Sequence, residues 1–540
     1  MKRYIFLLQL LFVALIGVAQ TANDTINRMV LVESTYNPII VGASKRNFIP
    51  QEVKPSITKE EVVYADENVD LTNFDRQAQP AQVVDVAPEK GVPGYAHLGY
   101  GNYNNLSGLA AYKWNFGGNH SLALKAHADG WNGKLKLGDG TKWRSRLYDT
   151  GLNADYKVWL GTTAINAGAH ATYYNYNYYS LVGENKVQQS NDLSAYVGFD
   201  GYIRERFHYQ ATVDYTRFGR TAYMGVVTPH SENYINSDVT FDMDLYRWGI
   251  ASVLVHSDVF LYQGLSTYHN YHSLGVTPRW EYRYGDFQFV SGFNMDFLGG
   301  NHITHPVQFS PECSISYVPA KRFSALFTLD GGRDVHSFAA LYERSPYWAS
   351  TKQLLPTYTF LNAHLEGGLR ICEGLHLYLG GGYKLLSNAL FETVMTTSDV
   401  MYTGLTNHNA QVATIDGSIS YEHKEFMSLS VKSAYNHWML KGDHSLLART
   451  PQLDTDVDFR IRLMSKLHAY TNLQWVVFTN TDVAPRERAI IDWSLGSHYA
   501  LNERFTFFLD AHNLLNRRYS YYTGYPSQGF NMLAGAIFKF

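Results

Sequence analysis

The chain has 540 residues, 48 acidic against 45 basic side chains, and a formal net charge of −3, which leaves no electrostatic footprint for nucleic acid. Aromatic residues make up 15% of it, with 41 Tyr and 43 Gly, while mean hydropathy is only −0.24. That aromatic content exceeds what a soluble domain is expected to carry.

The first segment sets the compartment. Lys2 and Arg3 precede an apolar run, Ile5 to Val18, broken only by Gln9 and Gly17. Gly17 and Ala19 are the small residues of a cleavage site, so Gln20 is expected to begin the mature chain. Basic start, short apolar core and small-residue exit form a secretory signal peptide over residues 1–19. The run is shorter than the roughly 20 residues a spanning helix needs. No Cys follows closely, which excludes a lipoprotein signal.

Residues 20–93 contain Pro, Asp and Glu and show weak periodicity, with short apolar pieces at Met29 to Glu33 and Ile39 to Val41. The stretch from Gln51 to Gln82 is polar enough to be extended or disordered unless something holds it.

From Gly94 to Phe540 the character changes and stays uniform. No later apolar run is long enough for a spanning helix, and lipid satisfies no backbone hydrogen bond, so a membrane chain of this kind must close into a barrel. Leu453, Thr455, Val457, Phe459, Ile461 and Leu463 fall on one side of a period-two segment, and Asp454, Asp456, Asp458, Arg460 and Arg462 on the other. Only a strand sorts them this way. A basic residue facing the bilayer midplane costs roughly 2–4 kcal/mol, so the charged side is expected to line a wet lumen. It would serve there as a charged constriction, as a dock for the N-terminal segment, or as a hydrated wall with its charges paired across strands. Phe207 to Tyr215, Met427 to Lys432 and Leu467 to Trp475 alternate likewise.

Connections alternate between tight and long. Tight ones are Gly161–Thr163, Arg204–Arg206, Pro319–Arg322, Glu373–Gly374, Lys424–Glu425 and Asn502–Arg504. Long ones are expected at Trp131–Lys142, Gly219–Ser231, Gly331–Tyr358, Ser387–His408 and Leu440–Pro451. Outer-membrane barrels have short periplasmic turns and longer extracellular loops. Counting back from the C-terminus on that rule gives about 22 strands between Gly94 and Phe540. The predicted fold is all-β, a transmembrane antiparallel barrel in the outer membrane, in contact with its lipid. The strand phases put Cys313 on the lipid side and Cys372 at a periplasmic turn, so no disulfide is expected.

Twenty-one histidines invite a metal reading. The pairs His302 with His305, and His269 with His272, have spacings that could bind one, but hydrated histidines account for them more simply. No phosphate-cradling or nucleophile-elbow motif is present, and the expectation is a non-enzyme without cofactor or metal. Tyr173, Tyr174, Tyr176, Tyr178 and Tyr179, near the outer end of a strand, are expected in an interfacial girdle or an outer strand extension, with carbohydrate stacking as the alternative. The loop carrying Phe338, Tyr342, Tyr347, Trp348 and Tyr358 either binds a ligand or partner or packs on its neighbours.

At the C-terminus, Phe530, Met532, Ala534, Ala536, Phe538 and Phe540 share one side of a final strand. Gly535, Phe538 and Phe540 have the glycine–aromatic–aromatic spacing of a signal read by the barrel-assembly machinery, with Leu533 in place of its usual polar first position. Upstream stand Asn513, Leu514, Leu515, Asn516, Arg517, Arg518 and Tyr519, then a loop with Pro526 and Gly529. This block and closing strand resemble the C-terminal end of TonB-dependent receptors, whose barrels have 22 strands. The signal peptide, ending Ala19–Gln20, looks like those of Bacteroidota. The resemblance implies uptake of a solute, with a gate drawn open through a short N-terminal box. Val30, Leu31 and Val32, in a segment similar to the start of a plug, are the positions matching the box that TonB grips. Only about 70 mature residues precede the barrel, so the plug is expected to be reduced or absent. The other readings are a scaffold subunit of an outer-membrane complex whose loops bind a surface lipoprotein, and a passive porin.

Overall fold

The computed structural model describes residues 93–540, except 137–139, 182–186, 205, 222–229, 301–305, 321, 351, 397–399, 443 and 480–487. Val30, Leu31, Val32, His302 and His305 lie outside the described residues.

Alternation dictates the architecture. Side chains on a strand point alternately to the two sides, and here one side is apolar and the other polar over strand after strand. The result is a closed antiparallel barrel of 22 strands, running from Gly94–Gly101 to Asn531–Lys539. Each wall strand pairs with its sequence neighbours, and the first pairs with the last in the register Tyr95↔Lys539 to Gly101↔Leu533. Closure leaves no unpaired edge. Gly94 N donates to Phe540 O at 3.0 Å and Phe540 N to Gly94 O at 2.9 Å, so the two ends of the cylinder are tied to each other.

Outward side chains are large and apolar. Leu379, Ile415, Phe309 and Leu365 are each about 60% exposed. An apolar belt on this scale would aggregate in water; hydrocarbon covers it without loss. At one rim the connections are tight. Arg204 and Lys424 take left-handed backbone angles there (φ 53° and 50°). Gly374 does the same at φ 79°, where a Cβ would collide with the Glu422 carbonyl.

The opposite rim is taller and uneven. Strands near the seam are short, with Gly94–Gly101 and Phe505–His512 at 8 residues each, whereas Leu375–Thr396 and Val400–His423 have 22 and 24. The expected loop Ser387–His408 is therefore a projecting hairpin, paired from Ala389↔His408 to Thr396↔Met401. Trp131–Lys142 is likewise ladder as far as Lys136↔Lys142. Above the hydrocarbon both sides of a strand meet polar surroundings, so the two-residue period fades and sequence reads as loop. Two further strands of two residues, Tyr179–Ser180 and Trp348–Ala349, lie off the wall.

Candidate functional site: the outer mouth and the lumen wall

The tall rim is roofed by its own loops. After the strand Phe323–Asp334 the chain turns into a seven-residue helix, Phe338–Arg344, whose N-cap Ser337 accepts from Ala340 N. Such a side-chain oxygen satisfies one of the orphan donors of the first turn. Phe338, Leu341 and Tyr342, at i, i+3 and i+4, form one side of this helix and are 0–3% exposed. Phe338 packs among His230, Tyr262, Tyr268 and Trp348, with centroids 5.2–5.4 Å away. Tyr342 meets Tyr174 at 4.1 Å and Tyr176 at 5.5 Å. Tyr347 stacks on Tyr525 at 3.5 Å and 5°.

The projecting hairpin completes the roof. Val400 and Met401 pair with Ser180 and Tyr179, and Thr403 and Gly404 pair in parallel with Trp348 and Ala349. Counted around the wall, Thr163–Asn177, which precedes Tyr179, is the fifth strand, and Val400–His423 is the sixteenth. In a 22-strand wall these stand half a circumference apart, so the hairpin reaches across the mouth to pair with the far side. The C-terminal loop enters from the seam. The Tyr525 hydroxyl donates to Met401 O, and the Thr523 hydroxyl to Glu392 at 2.6 Å. Glu392 also takes Arg344 Nε at 2.8 Å. Side chains from both halves of the wall thus meet in one buried cluster with the loop 335–350, Leu354 and the loop 513–530.

The tyrosine run belongs to this roof. Tyr174, Tyr176 and Tyr178 point inward and are 9%, 0% and 3% exposed, while Tyr173 points outward at 44%. The three inward residues are not girdle residues but fit the alternative of an outer strand extension, since their inner side meets the roof. For the loop with Phe338, Tyr342, Tyr347 and Trp348, the structure shows the packed alternative, each side chain being 3% exposed or less.

Below the roof the inner wall carries cross-strand pairs of histidine and aspartate. His127 meets Asp149 at 2.8 Å and His364 meets Asp416 at 2.8 Å. His256 sits between Asp238 at 2.6 Å and Asp258 at 3.1 Å. Asp258, fully buried, also accepts from Tyr234 and Ser273 at 2.7 Å each. Arg333 reaches Asp258 at 3.5 Å and Asp296 at 3.2 Å. This arginine lies just beyond the bulge between Asp330 and Gly332, one residue before its strand ends, so the network anchors the chain where it leaves the wall for the roof. Such pairs offset the desolvation of their charges and make the wall polar. The linear sequence hides them, because the partners are on different strands. Among the described residues no group of three or more metal-ligating side chains is gathered; the backbone N–H of His269 donates to Gln353 at 3.1 Å.

The charged row is spread along its strand. Asp458 is bridged by Arg460 at 2.8 Å, Asp456 accepts from Asn472 at 3.0 Å, and Arg462 reaches Glu425 at the tight rim at 2.8 Å. Asp454 lies opposite Ala434 and Val476. At the seam, Gly535 faces inward opposite Gly99, with the Phe508 ring over both; a Cβ on Gly535 would collide with that ring and with the Leu98 carbonyl. Phe538 and Phe540 form an outward aromatic row, Phe538 packing on Phe505 at 4.7 Å and Phe540 on Tyr112 at 5.8 Å. Cys313 and Cys372 are both free.

No family model matches the chain, and no curated protein matches it. Solved structures do. The FrpB iron transporter from Neisseria meningitidis superposes with a TM-score of 0.65 at 11% identity, over 84% of this chain and 82% of that one. The copper transporter OprC gives 0.60 at 12%, over 84% and 81%. A mutant of the ferric enterobactin receptor PfeA from Pseudomonas aeruginosa gives 0.63 at 11%, over 83% and 81%. The fold is that of the TonB-dependent receptor barrel. At these identities the likeness carries the fold alone.

Proposed function

We propose that the protein is exported by a signal peptide over residues 1–19, resides in the outer membrane of a double-membraned bacterium, and acts in uptake of a solute. It is a TonB-dependent-receptor-like barrel whose plug is reduced or absent. Its tight rim faces the periplasm and its tall rim the medium. The observation that carries this reading is a barrel of 22 strands with a polar, ion-paired inner wall and a mouth closed by loops rather than by the wall. A loop roof can move without breaking the wall ladder. The neighbours by fold are named as transporters of iron and copper and as a siderophore receptor, which supports passage of a solute in general and leaves its identity open. Residues 20–93 reach TonB through Val30, Leu31 and Val32, which pair as an added strand.

TonB binding tests this directly. The purified full chain retains the periplasmic domain of TonB on a column, and Leu31→Pro, which removes a ladder donor, loses it. Equal retention by both proteins refutes the role of the box. The roof also suits a second reading, a scaffold subunit whose loops bind a surface lipoprotein, because a mouth held shut by its own loops needs no passage. Conductance separates the two, as set out at the close of the Discussion.

A further inference from the structure

Arg220 is one of the buried charges of the roof, with Glu232, Glu392 and Arg449. It ends the strand Phe207–Arg220 and is 3% exposed. Its hydrogen-bond partners among the described residues are neutral. Nη1 donates to the Trp348 carbonyl at 2.8 Å and Nη2 to the Pro346 carbonyl at 3.3 Å, and the guanidinium lies 4.6 Å from the Trp348 ring. Its Nε has no hydrogen-bond partner among the described residues. Burying a guanidinium costs several kcal/mol, and an apolar side chain of similar volume would pack at lower cost. Two neutral carbonyls offset that cost less than a carboxylate does, since they bring no opposite charge to the guanidinium.

The surroundings point the same way. Tyr176, Tyr178, Tyr342, Tyr347 and Trp348 are 0–3% exposed, and the Tyr342 hydroxyl and Trp348 Nε1 are buried without a hydrogen-bond partner among the described residues. Tyr, Trp and Arg are enriched at protein–protein interfaces and their hot spots. The loop 335–350 docks on the wall as a partner docks on an interface.

We propose that the outer mouth is a binding site for a carboxylate carried on a ring whose face can stack on aromatics, that Arg220 is the residue recognising the carboxylate, and that the loop 335–350 occupies this site in the closed state. The carbonyls of Pro346 and Trp348 stand where the two carboxylate oxygens would meet the planar guanidinium fork, a geometry arginine matches bidentately. The rings of Tyr347 and Trp348 stand where the ligand's ring would stack on the aromatic wall. Uronic acids of saccharides and aryl carboxylates share this chemistry. The proposal deepens the uptake reading and rests on it for its purpose, but it is tested by binding alone, so that failure of either leaves the other standing.

The experiment is equilibrium binding to the purified full chain in detergent, with trigalacturonate, salicylate and neutral maltotriose as probes. Four proteins are compared. The second carries Tyr347→Ala, which removes the ring stacked on Tyr525. The third carries Arg220→Gln in that background. The fourth carries Ser345→Cys and Thr403→Cys, whose parent hydroxyls are 3.0 Å apart, together with Cys313→Ser and Cys372→Ser. Loosening the loop is expected to tighten binding of an acidic probe by about threefold or more, because the loop competes with the ligand. Arg220→Gln is expected to weaken it at least about tenfold. The oxidised lock is expected to abolish binding, and reduction of the same sample to restore it, which controls for folding. Whichever acid binds identifies the source of the carboxylate. The proposal is overturned if neither acid binds Tyr347→Ala, if maltotriose binds as well as trigalacturonate, or if the lock leaves binding unchanged.

Discussion

Phe338→Ala opens the roof without unfolding the barrel. The Phe338 side chain is fully buried and touches four rings that come from the wall and the loop. Removing a buried Phe costs about 3–5 kcal/mol through lost transfer energy and the cavity left behind. The loop can escape part of that cost by detaching, so its local opening equilibrium shifts by about 3 kcal/mol or more, while the wall ladder is untouched. Local opening free energies of this kind set protease access when reclosing is fast. Trypsin reports it at Arg344, whose guanidinium is held by Glu392 and the Leu390 carbonyl. At 1.4 kcal/mol per decade, cleavage after Arg344 is expected to speed up about a hundredfold. The heat-resistant, fast-migrating barrel band should persist on unboiled gels. Cleavage at the wild-type rate would show that Phe338 does not hold the loop down. Loss of the barrel band would show that the roof and the wall are one cooperative unit, contrary to the argument.

Two further outcomes follow from the roof and the seam. Burial, with the Arg344 guanidinium adding to it, holds the His336 imidazole down at about 3, where its Nε2 donates to the Thr357 hydroxyl at 2.9 Å. A lowered folded pKa means that the unfolded loop binds more protons between pH 3 and the ordinary 6.5. The stability of the roof is therefore complete above pH 6.5 and falls below it, by about 2 kcal/mol at pH 5. Tryptic cleavage after Arg344 should accelerate as the pH falls from 7 to 5 once corrected for protease activity, and His336→Gln should flatten that profile. At the seam, Gly535→Val places a side chain against the Leu98 carbonyl and the Phe508 ring. The fraction of protein giving the compact band on unboiled gels should fall several-fold, and an unchanged fraction would remove the close approach from the account of closure.

Much of the barrel was legible because its physics is local. Leu453 to Leu463 sorts itself at a period of two, and the tight turns at Arg204, Gly374 and Lys424 carry the short connections that set the count of strands. The roof was not legible, for three separate reasons. Between Ser387 and His408 the strands rise above the apolar belt, so the pattern that betrays a strand disappears although the ladder continues. Ser337, Phe338, Leu341 and Tyr342 do spell a capped amphipathic helix, but seven residues are too few to stand out or to be stable without tertiary contacts. The tyrosines from 173 to 179 alternate correctly, yet their height relative to the bilayer decides whether they face lipid or a roof, and height is a property of the whole cylinder. The His–Asp pairs need the register between strands, which no single segment contains.

The central claim is that the loops, and not the wall, close the outer mouth. Single-channel conductance in planar bilayers tests it on the barrel alone, lacking residues 20–92, with residues 338–349 either intact or replaced by a short linker. The account predicts a silent barrel with the intact loop and a large steady conductance with the linker, which would leave uptake through an opened roof as the working reading. A large conductance with the roof intact would contradict it. Silence in both would mean that the lumen is closed elsewhere, and the scaffold reading would then take precedence.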